Sequence, residues 1–233
     1  ISGKGFSHAV TVKDFYLLNW IGANSFRTSH YPYDENIIDF ADRHGIMVID
    51  ETPFVGLNKR MYREDILCKA KSVIKELIKR DKNHPSVVMW SLANEPYVES
   101  LEGKHFFKEM AETTRMIDPT RPITYVAHME PEDNLGYEYY DVVCINKYYG
   151  WYIAPGQAEA VLPDFRACIE KWRNAFGKPM MVAEFGADAI DGMHCDPPQM
   201  FSEEYQSMVV ESQYKEMRKI DYVIGAHVWA FAD

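Results

Sequence analysis

The sequence alternates between short apolar segments typical of β-strands and longer segments with helical periodicity, and this alternation constrains the fold more than any other feature. Short connections join the two kinds of segment. Seven strands are predicted, centred near Phe26, Val48, Val88, Thr124, Val143, Val182 and Val228. Strands that alternate with helices in this way pair as a parallel sheet.

The predicted helices cover residues 10–20, 34–44, 63–82, 104–117, 162–176 and 202–220. Their ends carry recognisable signals: Asp34 is a suitable N-cap for the second helix, and Gly45 is a suitable stop. In the first helix, the i, i+3, i+4 spacing of Val12, Phe15 and Tyr16 predicts an apolar face. This face is widened by Leu17, Leu18 and Trp20.

The order of these elements favours a (β/α)8 TIM barrel, in which eight strands are each followed by a helix. Because the sequence opens with a helix pattern and closes on a strand, we expect a barrel that lacks its first strand and its last helix. The alternative is an open doubly wound sheet, but the first strand-to-helix turn carries no glycine-rich phosphate fingerprint. Residues 1–233 are predicted to form a single domain.

Composition and charge narrow the function classes. With 25 Lys and Arg against 35 Asp and Glu, the net charge of −10 argues against general nucleic-acid binding. No apolar run approaches the ~18 residues of a membrane span, so no membrane association is expected. Four scattered cysteines without a Cys-x-x-Cys pair predict free thiols, no zinc site and a cytoplasmic location.

Polar and aromatic side chains follow nearly every predicted strand. In a barrel, the carboxyl ends of the strands form one rim, where active sites lie. The clusters are Arg27 with His30, Asp50 with Glu51, Asn94 with Glu95, His128 with Glu130, Asn146 with Tyr148, Glu184, and Trp229 with Asp233. For Asp50, Glu51 and His128, a structural role is equally expected.

Two glutamates suit the chemistry of glycoside hydrolysis. Glu95 lies in the segment after the third predicted strand, and Glu184 follows the predicted strand at residues 180–183. Such a reaction needs one carboxyl group to protonate the leaving oxygen and a second to attack the sugar or to activate water. Aromatic residues make up 14% of the chain; most are expected in the core, while others could stack on a sugar.

Sequence motifs around these glutamates resemble a known family. Residues 90–96 (WSLANEP) and 182–188 (VAEFGAD) resemble the two catalytic-strand signatures of glycoside hydrolase family 2. Four further segments are similar to its β-glucuronidase branch: residues 27–33 (RTSHYPY), 80–90 (RDKNHPSVVMW), 146–152 (NKYYGWY) and 228–233 (VWAFAD). The resemblance covers essentially the whole chain.

The resemblance implies a retaining hydrolase that cleaves β-D-glucuronides by double displacement, without a metal or another cofactor. Glu95 would be the general acid/base and Glu184 the nucleophile. Asn94 would bind the sugar 2-hydroxyl, Tyr148 would donate to the nucleophile, and Arg27 would support the nucleophile strand from beneath the site. The remaining predicted sugar contacts are His30, Asn146, Tyr152 and Trp229, with Trp229 as a stacking platform.

The sequence departs from the family pattern in three respects. The β-sandwich and immunoglobulin-like domains that precede the barrel in this family are absent from it. So is the Asn-x-Lys motif whose lysine contacts the sugar carboxylate in the resembling enzymes, which leaves Lys147 and Arg60 as alternative cations. Residues 52–65 are shorter than in the resembling bacterial enzymes, which predicts an open side for the leaving group.

Several alternatives remain open beside a small-molecule β-glucuronide or oligosaccharide as the substrate. A β-galactosidase or β-mannosidase of the same family would share both glutamates. A truncated barrel could be catalytically inert, and its unpaired edge strands would favour a homo-oligomer. A sugar-binding module without activity would not need two glutamates after matched strands.

Overall fold

A computed structural model describes residues 5–232. The chain divides into two compact units, Ile1–Tyr125 and Val126–Asp233. The first unit contains α1 (His8–Trp20), β1 (Ser25–Arg27), α2 (Glu35–His44), β2 (Met47–Glu51), α3 (Glu64–Asp81), β3 (Val87–Asn94), α4 (Leu101–Ile117) and the beginning of β4 (Ile123–Ala127).

The second unit begins with the end of β4. It continues through two short 3₁₀ helices, Pro131–Asp133 and Tyr137–Tyr139, which the sequence did not predict. The remaining elements are β5 (Val143–Asn146), α5 (Leu162–Phe176), β6 (Met180–Phe185), α6 (Glu203–Met217) and β7 (Val223–Val228).

The strands lie in the sheet in the order in which they follow one another in the sequence. In the first unit the order is β1-β2-β3-β4, and β2 pairs in parallel with both β1 and β3. In the second unit the order is β4-β5-β6-β7, and each successive pair is parallel. Within the described residues, the prediction of seven strands in a parallel sheet is confirmed.

Helix ends form where the sequence carries the corresponding signals. The Asp34 carboxylate accepts a hydrogen bond from the backbone N–H of Asn36, which satisfies a free donor at the start of α2. Gly45 ends that helix with a φ of 68°, a conformation that glycine adopts without a Cβ penalty. Gly177 ends α5 in the same left-handed conformation, with a φ of 65°.

The predicted apolar face of α1 is buried only in part. Val12 and Tyr16 are exposed to 47% and 66%. The buried positions are Phe15 and Leu18, which belong to the predicted apolar face, and Thr11, which does not. The Phe15 ring packs against Phe40 of α2 with the ring centres 5.6 Å apart, and this contact turns α1 so that positions 12 and 16 face outward. The i, i+4, i+7 spacing of the buried positions is equally helical, so periodicity alone could not choose between the two faces.

Burial of whole strands supports the assignment of a parallel sheet. Every residue of β6 is buried, as are all residues of β3 except Val88. Such burial on both faces is typical of parallel strands that helices cover. All four cysteines lie in the described part of the chain and are free thiols, as predicted. Among the described helices, none combines the length and apolar character that crossing a membrane requires.

Candidate active site

In the first unit, two predicted site residues and Glu51, whose role the sequence left open, stand at the carboxyl ends of neighbouring strands. Arg27 is the last residue of β1, and Asn94 is the last residue of β3. Between them, β2 ends at Glu51, which is fully buried. Because parallel strands end at the same edge of a sheet, the register places these three side chains together.

The contacts among them centre on an ion pair between Arg27 and Glu51. The Arg27 Nη1 atom lies 2.7 Å from both carboxylate oxygens of Glu51. The same nitrogen donates to Oδ1 of Asn94 at 3.4 Å. Arg27, at the end of β1, therefore contacts the last residues of β2 and β3 and so joins the ends of three strands.

Two further donors hold the Glu51 carboxylate. Ser91 Oγ donates to Oε2 at 2.7 Å, and Nδ1 of the predicted site residue His30 lies 3.3 Å from Oε1. Burial by itself would raise the pKa of Glu51, but the charge of Arg27 and the hydrogen bonds from His30, Arg27 and Ser91 hold that pKa below its ordinary value. Glu51 is therefore a carboxylate at neutral pH.

The preceding residue, Asp50, has the opposite electrostatic state. Its Oδ1 atom accepts a hydrogen bond from Thr28 Oγ1 at 3.0 Å, and Asp81 at the end of α3 is its acidic neighbour. Burial, with the hydrogen bond and the charge of Asp81, raises the pKa of Asp50 to about 8. Asp50 is therefore mainly protonated at neutral pH, one residue from an ionised glutamate.

Glu95 follows β3 directly and is partly buried, in a backbone conformation with a φ of 50° that is uncommon for a residue other than glycine. Hydrogen bonds on both sides hold it there. The N–H of Asn94 donates to the carbonyl of Phe54 at 2.8 Å, and the N–H of Tyr97 donates to the carbonyl of Leu57 at 2.7 Å. The short segment after β2 thus lies along the segment that carries Glu95.

In the second unit, the predicted residues around Glu184 meet. Glu184 lies within β6 and is 4% exposed. Tyr148 Oη donates to its Oε2 atom at 2.6 Å. Asn146, the buried last residue of β5, is the register partner of Glu184 on the neighbouring strand. A phenol that donates to a carboxylate favours the ionised form of that carboxylate.

Two further predicted sugar contacts, Tyr152 and Trp229, are linked to the surroundings of Glu184 by different contacts. The Tyr152 ring packs against the Tyr148 ring with centres 5.1 Å apart, and its side chain is largely exposed. Trp229 follows β7, and its backbone N–H donates to the carbonyl of Phe185 at 2.9 Å. The ring of Trp229 is partly exposed. Asp233, which the sequence grouped with Trp229, lies outside the described residues.

The two alternative cations are placed differently. The buried Lys147 ammonium donates to the backbone carbonyls of His128 and Met129 at 2.9 and 3.3 Å, and to Oε1 of Glu130 at 3.2 Å. These contacts use its three donors, so Lys147 binds the loop after β4 rather than offering a charge to a ligand. Arg60 lies on the exposed segment between β2 and α3.

One group among the described residues has the spacing of metal ligands: Asp39 and Asp42 on α2, together with His84. His84 Nδ1 lies 2.7 Å from Oδ2 of Asp42, and the N–H of Ser86 donates to the other oxygen of Asp42 at 2.9 Å. These contacts join α2 to the segment before β3. They account for the arrangement of Asp42 and His84 as a structural hydrogen-bonded pair.

Sequence reasoning missed Ser91 and left the role of Glu51 undecided. Ser91 lies in the buried strand β3, three residues before Asn94, and its hydroxyl contacts a residue 40 positions away in the sequence. A polar residue inside an apolar strand requires a buried hydrogen-bond partner. The register of the neighbouring strands was the only signal that could have identified Glu51 as the partner of Ser91.

Comparisons with known proteins identify the family of this chain. Residues 1–233 match the family described as "Glycosyl hydrolases family 2, TIM barrel domain". The chain is 49% identical over 243 residues to the β-glucuronidase of Paenibacillus borealis, and the match covers all of this chain and 41% of that relative.

Solved structures give the same result. A β-glucuronidase from an uncultured Clostridium sp. has a TM-score of 0.95 at 47% identity, over 99% of this chain and 41% of that chain. The β-glucuronidase of Ruminococcus gnavus in complex with D-glucuronic acid has a TM-score of 0.91 at 37% identity, over 98% of this chain and 40% of that chain. The chain thus spans about two fifths of the length of these relatives. It belongs to glycosyl hydrolase family 2, within the TIM barrel domain of that family.

Proposed function

We propose that this chain is the catalytic domain of a retaining hydrolase of β-D-glucuronides. The observation that carries the proposal is its 49% identity, along the whole chain, to a protein named β-glucuronidase. A similar solved structure, at 37% identity, is described as a complex with D-glucuronic acid, which supports a glucuronide as the small-molecule substrate.

In the first step of the proposed reaction, the Glu184 carboxylate attacks the anomeric carbon of the sugar. The bond between this carbon and the leaving oxygen breaks, and Glu95 transfers its proton to that oxygen. The product is a covalent glycosyl-enzyme. The hydrogen bond from Tyr148 supports the role of Glu184, because it favours the charged form that can attack.

In the second step, Glu95 takes a proton from water, and the water oxygen attacks the anomeric carbon. The bond to Glu184 breaks, and the sugar leaves with its original configuration. We assign the sugar 2-hydroxyl to Asn94. We assign the other sugar contacts to His30, Asn146, Tyr152 and Trp229, while Arg27 holds Asn94 through the contact described above.

A panel of nitrophenyl glycosides tests this proposal. The purified protein should hydrolyse the β-D-glucuronide with a higher kcat/KM than the β-D-galactoside or the β-D-mannoside, and the Glu184→Gln variant should hydrolyse none of them. A preference for the galactoside would contradict the assigned substrate. Equally negligible turnover by the parent protein and by Glu184→Gln would identify an inert domain.

The proposal also covers the location and the assembly of the protein. The four free thiols support a reducing compartment, and we therefore place the protein in the cytoplasm, in carbohydrate metabolism. Self-association into a homo-oligomer is checked by light scattering of the purified protein. A monomer at micromolar concentration would contradict it.

A further inference from the structure

Glu51 is a buried carboxylate that the reaction described above does not use. We propose that Glu51 is a positioning residue: it fixes Arg27, and Arg27 orients the Asn94 amide so that its NH₂ group faces the sugar 2-hydroxyl. The inference rests on the proposed function, since it takes the contact between Asn94 and the 2-hydroxyl from there.

The orientation of the Asn94 side chain follows from the donors and acceptors around it. An arginine side chain carries only donors, so the atom of the Asn94 amide that faces Arg27 must be the carbonyl oxygen. The distance from Arg27 Nη1 to Asn94 Oδ1 is 3.4 Å. The NH₂ group of the same planar amide is thereby directed away from Arg27.

The position of Arg27 depends in turn on Glu51. Nη1 of Arg27 lies 2.7 Å from each oxygen of the Glu51 carboxylate, and both side chains are almost completely inaccessible to solvent. A buried guanidinium without its carboxylate is strongly unfavourable and would move to find another acceptor. Because Asn94 Oδ1 accepts from the same nitrogen of Arg27, loss of Glu51 changes the contact that sets the amide.

Glu51 has no capacity left for direct chemistry. Besides Arg27, its carboxylate accepts from Ser91 Oγ at 2.7 Å and contacts His30 Nδ1 at 3.3 Å. Donors from three residues enclose this carboxylate and keep it ionised, in agreement with the lowered pKa of Glu51. Glu51 therefore acts through its neighbours rather than on the substrate.

This role predicts a selective loss. Hydrogen bonds to the 2-hydroxyl strengthen in the transition state of glycoside hydrolysis. A misoriented Asn94 should therefore slow the hydrolysis of a normal glucuronide more than that of its 2-deoxy analogue, which has no hydroxyl to bind. A general loss of structure would slow both substrates alike.

The experiment measures kcat/KM for 4-nitrophenyl β-D-glucuronide and for its 2-deoxy analogue, and takes their ratio. Asn94→Ala should lower this ratio by about 10- to 100-fold relative to the parent protein. Glu51→Gln should produce most of the same fall, because the neutral amide no longer holds Arg27. The double variant should fall no further than Asn94→Ala, because both changes remove one interaction.

Two further variants keep the test decisive. Glu51→Asp retains the charge but shortens the side chain by one methylene; it should lower the ratio partially and serves if Glu51→Gln does not fold. Asp50→Asn alters the adjacent buried carboxyl group on the same strand, whose contacts are to Thr28 and Asp81, and should keep the parental ratio.

A parental ratio in folded Glu51→Gln or Glu51→Asp, with both substrates slowed equally, would overturn the positioning role while leaving the proposed function intact. An unchanged ratio in Asn94→Ala would remove the 2-hydroxyl contact from the proposed function, and the role of Glu51 with it. Absence of glucuronide hydrolysis by the parent protein would refute the proposed function itself.

Discussion

The two units each bury a glutamate near the carboxyl end of a strand, but they surround it differently. In the first unit, Glu51 is 0% exposed and is paired with the guanidinium of Arg27. In the second unit, Glu184 is 4% exposed and accepts a hydrogen bond from the neutral phenol of Tyr148. Of these two contacts, the one to Glu51 brings an opposite charge and the one to Glu184 brings a hydroxyl dipole.

This difference fits the roles that we propose, in which Glu51 is a positioning residue and Glu184 is the nucleophile. Arginine neutralises the charge of Glu51 and uses its oxygens, so Glu51 can fix its neighbours but is poorly suited to attack a substrate. The Tyr148 phenol donates to Glu184 without neutralising its charge, which suits the nucleophile that we propose. Burial alone does not distinguish the two proposed roles.

The largest expected effect concerns Glu184. Glu184→Ala should reduce kcat/KM for 4-nitrophenyl β-D-glucuronide by at least about 10⁴-fold, because the group that forms the covalent bond is gone. Azide should partly restore turnover and yield the glycosyl azide of inverted configuration, which NMR spectroscopy identifies. Normal activity in this variant would show that Glu184 is not the nucleophile.

The next effect concerns Glu95, the residue that follows β3. Glu95 is only partly buried, whereas Glu51 is fully enclosed. Glu95→Ala should slow substrates with poor leaving groups by roughly 10²- to 10⁴-fold, because these need a proton from the general acid. A substrate with a very good leaving group, such as a dinitrophenol, should lose much less in kcat/KM. Equal losses for both kinds of leaving group would contradict the assignment.

A matched pair of hydroxyl deletions sharpens the comparison further. Tyr148→Phe and Ser91→Ala each remove one hydroxyl that donates to a buried glutamate, at 2.6 Å and 2.7 Å. Tyr148→Phe should lower kcat/KM about 10- to 100-fold, since Glu184 loses a donor to its charged form. Ser91→Ala should lower it several times less, because Arg27 still balances Glu51.

For Ser91→Ala, the main cost should be about 1–2 kcal/mol in the free energy of unfolding, because a buried carboxylate loses one donor. Chemical denaturation measures this cost beside the kinetics. A larger kinetic loss in Ser91→Ala than in Tyr148→Phe would reverse the assigned roles of the two glutamates.

The last prediction concerns stability rather than activity, and it follows from the titration of Asp50. Its pKa of about 8 in the folded chain lies above the ordinary value of 3.8, so the folded state binds more protons than the unfolded state between these values. Stability from this group is complete below about pH 4 and is lost as the pH rises towards 8, by roughly 1 kcal/mol per pH unit.

Asp50→Asn removes this titration. The stability of the variant relative to the parent protein should therefore improve as the pH rises from 5 to 8, which urea denaturation at several pH values measures. A difference in stability that stays constant with pH would contradict a protonated Asp50.

Much of the fold could be predicted because local signals and burial agree. The alternation of strands and helices, the Asp34 cap and the Gly45 stop are readable from neighbouring residues. The face of α1 could not be predicted, because two helical stripes were available and a contact between Phe15 and Phe40 selects one of them.

The site could be predicted only in part. Glu95 and Glu184 stand out because of the motifs around them, and these motifs also named Tyr148 as the donor to Glu184. The enclosure of Glu51 could not be foreseen, since its contacts join residues 24 and 40 positions apart and depend on strand register. The orientation of Lys147 could not be predicted either. Its ammonium binds the backbone carbonyls of His128 and Met129 in the loop after β4, and the sequence does not show where these carbonyls lie.

The central claim is that Glu184 forms the covalent bond to the sugar while Glu51 and Glu95 do not. Incubation with a 2-deoxy-2-fluoro glucuronyl fluoride should trap the glycosyl-enzyme, because the fluorine slows its hydrolysis more than its formation. Digestion and mass spectrometry then locate the label. We predict one fluoroglucuronyl group on the peptide that contains Glu184 and none after Glu184→Gln; a label on Glu51 or Glu95, or turnover of the reagent without any adduct, would contradict the account.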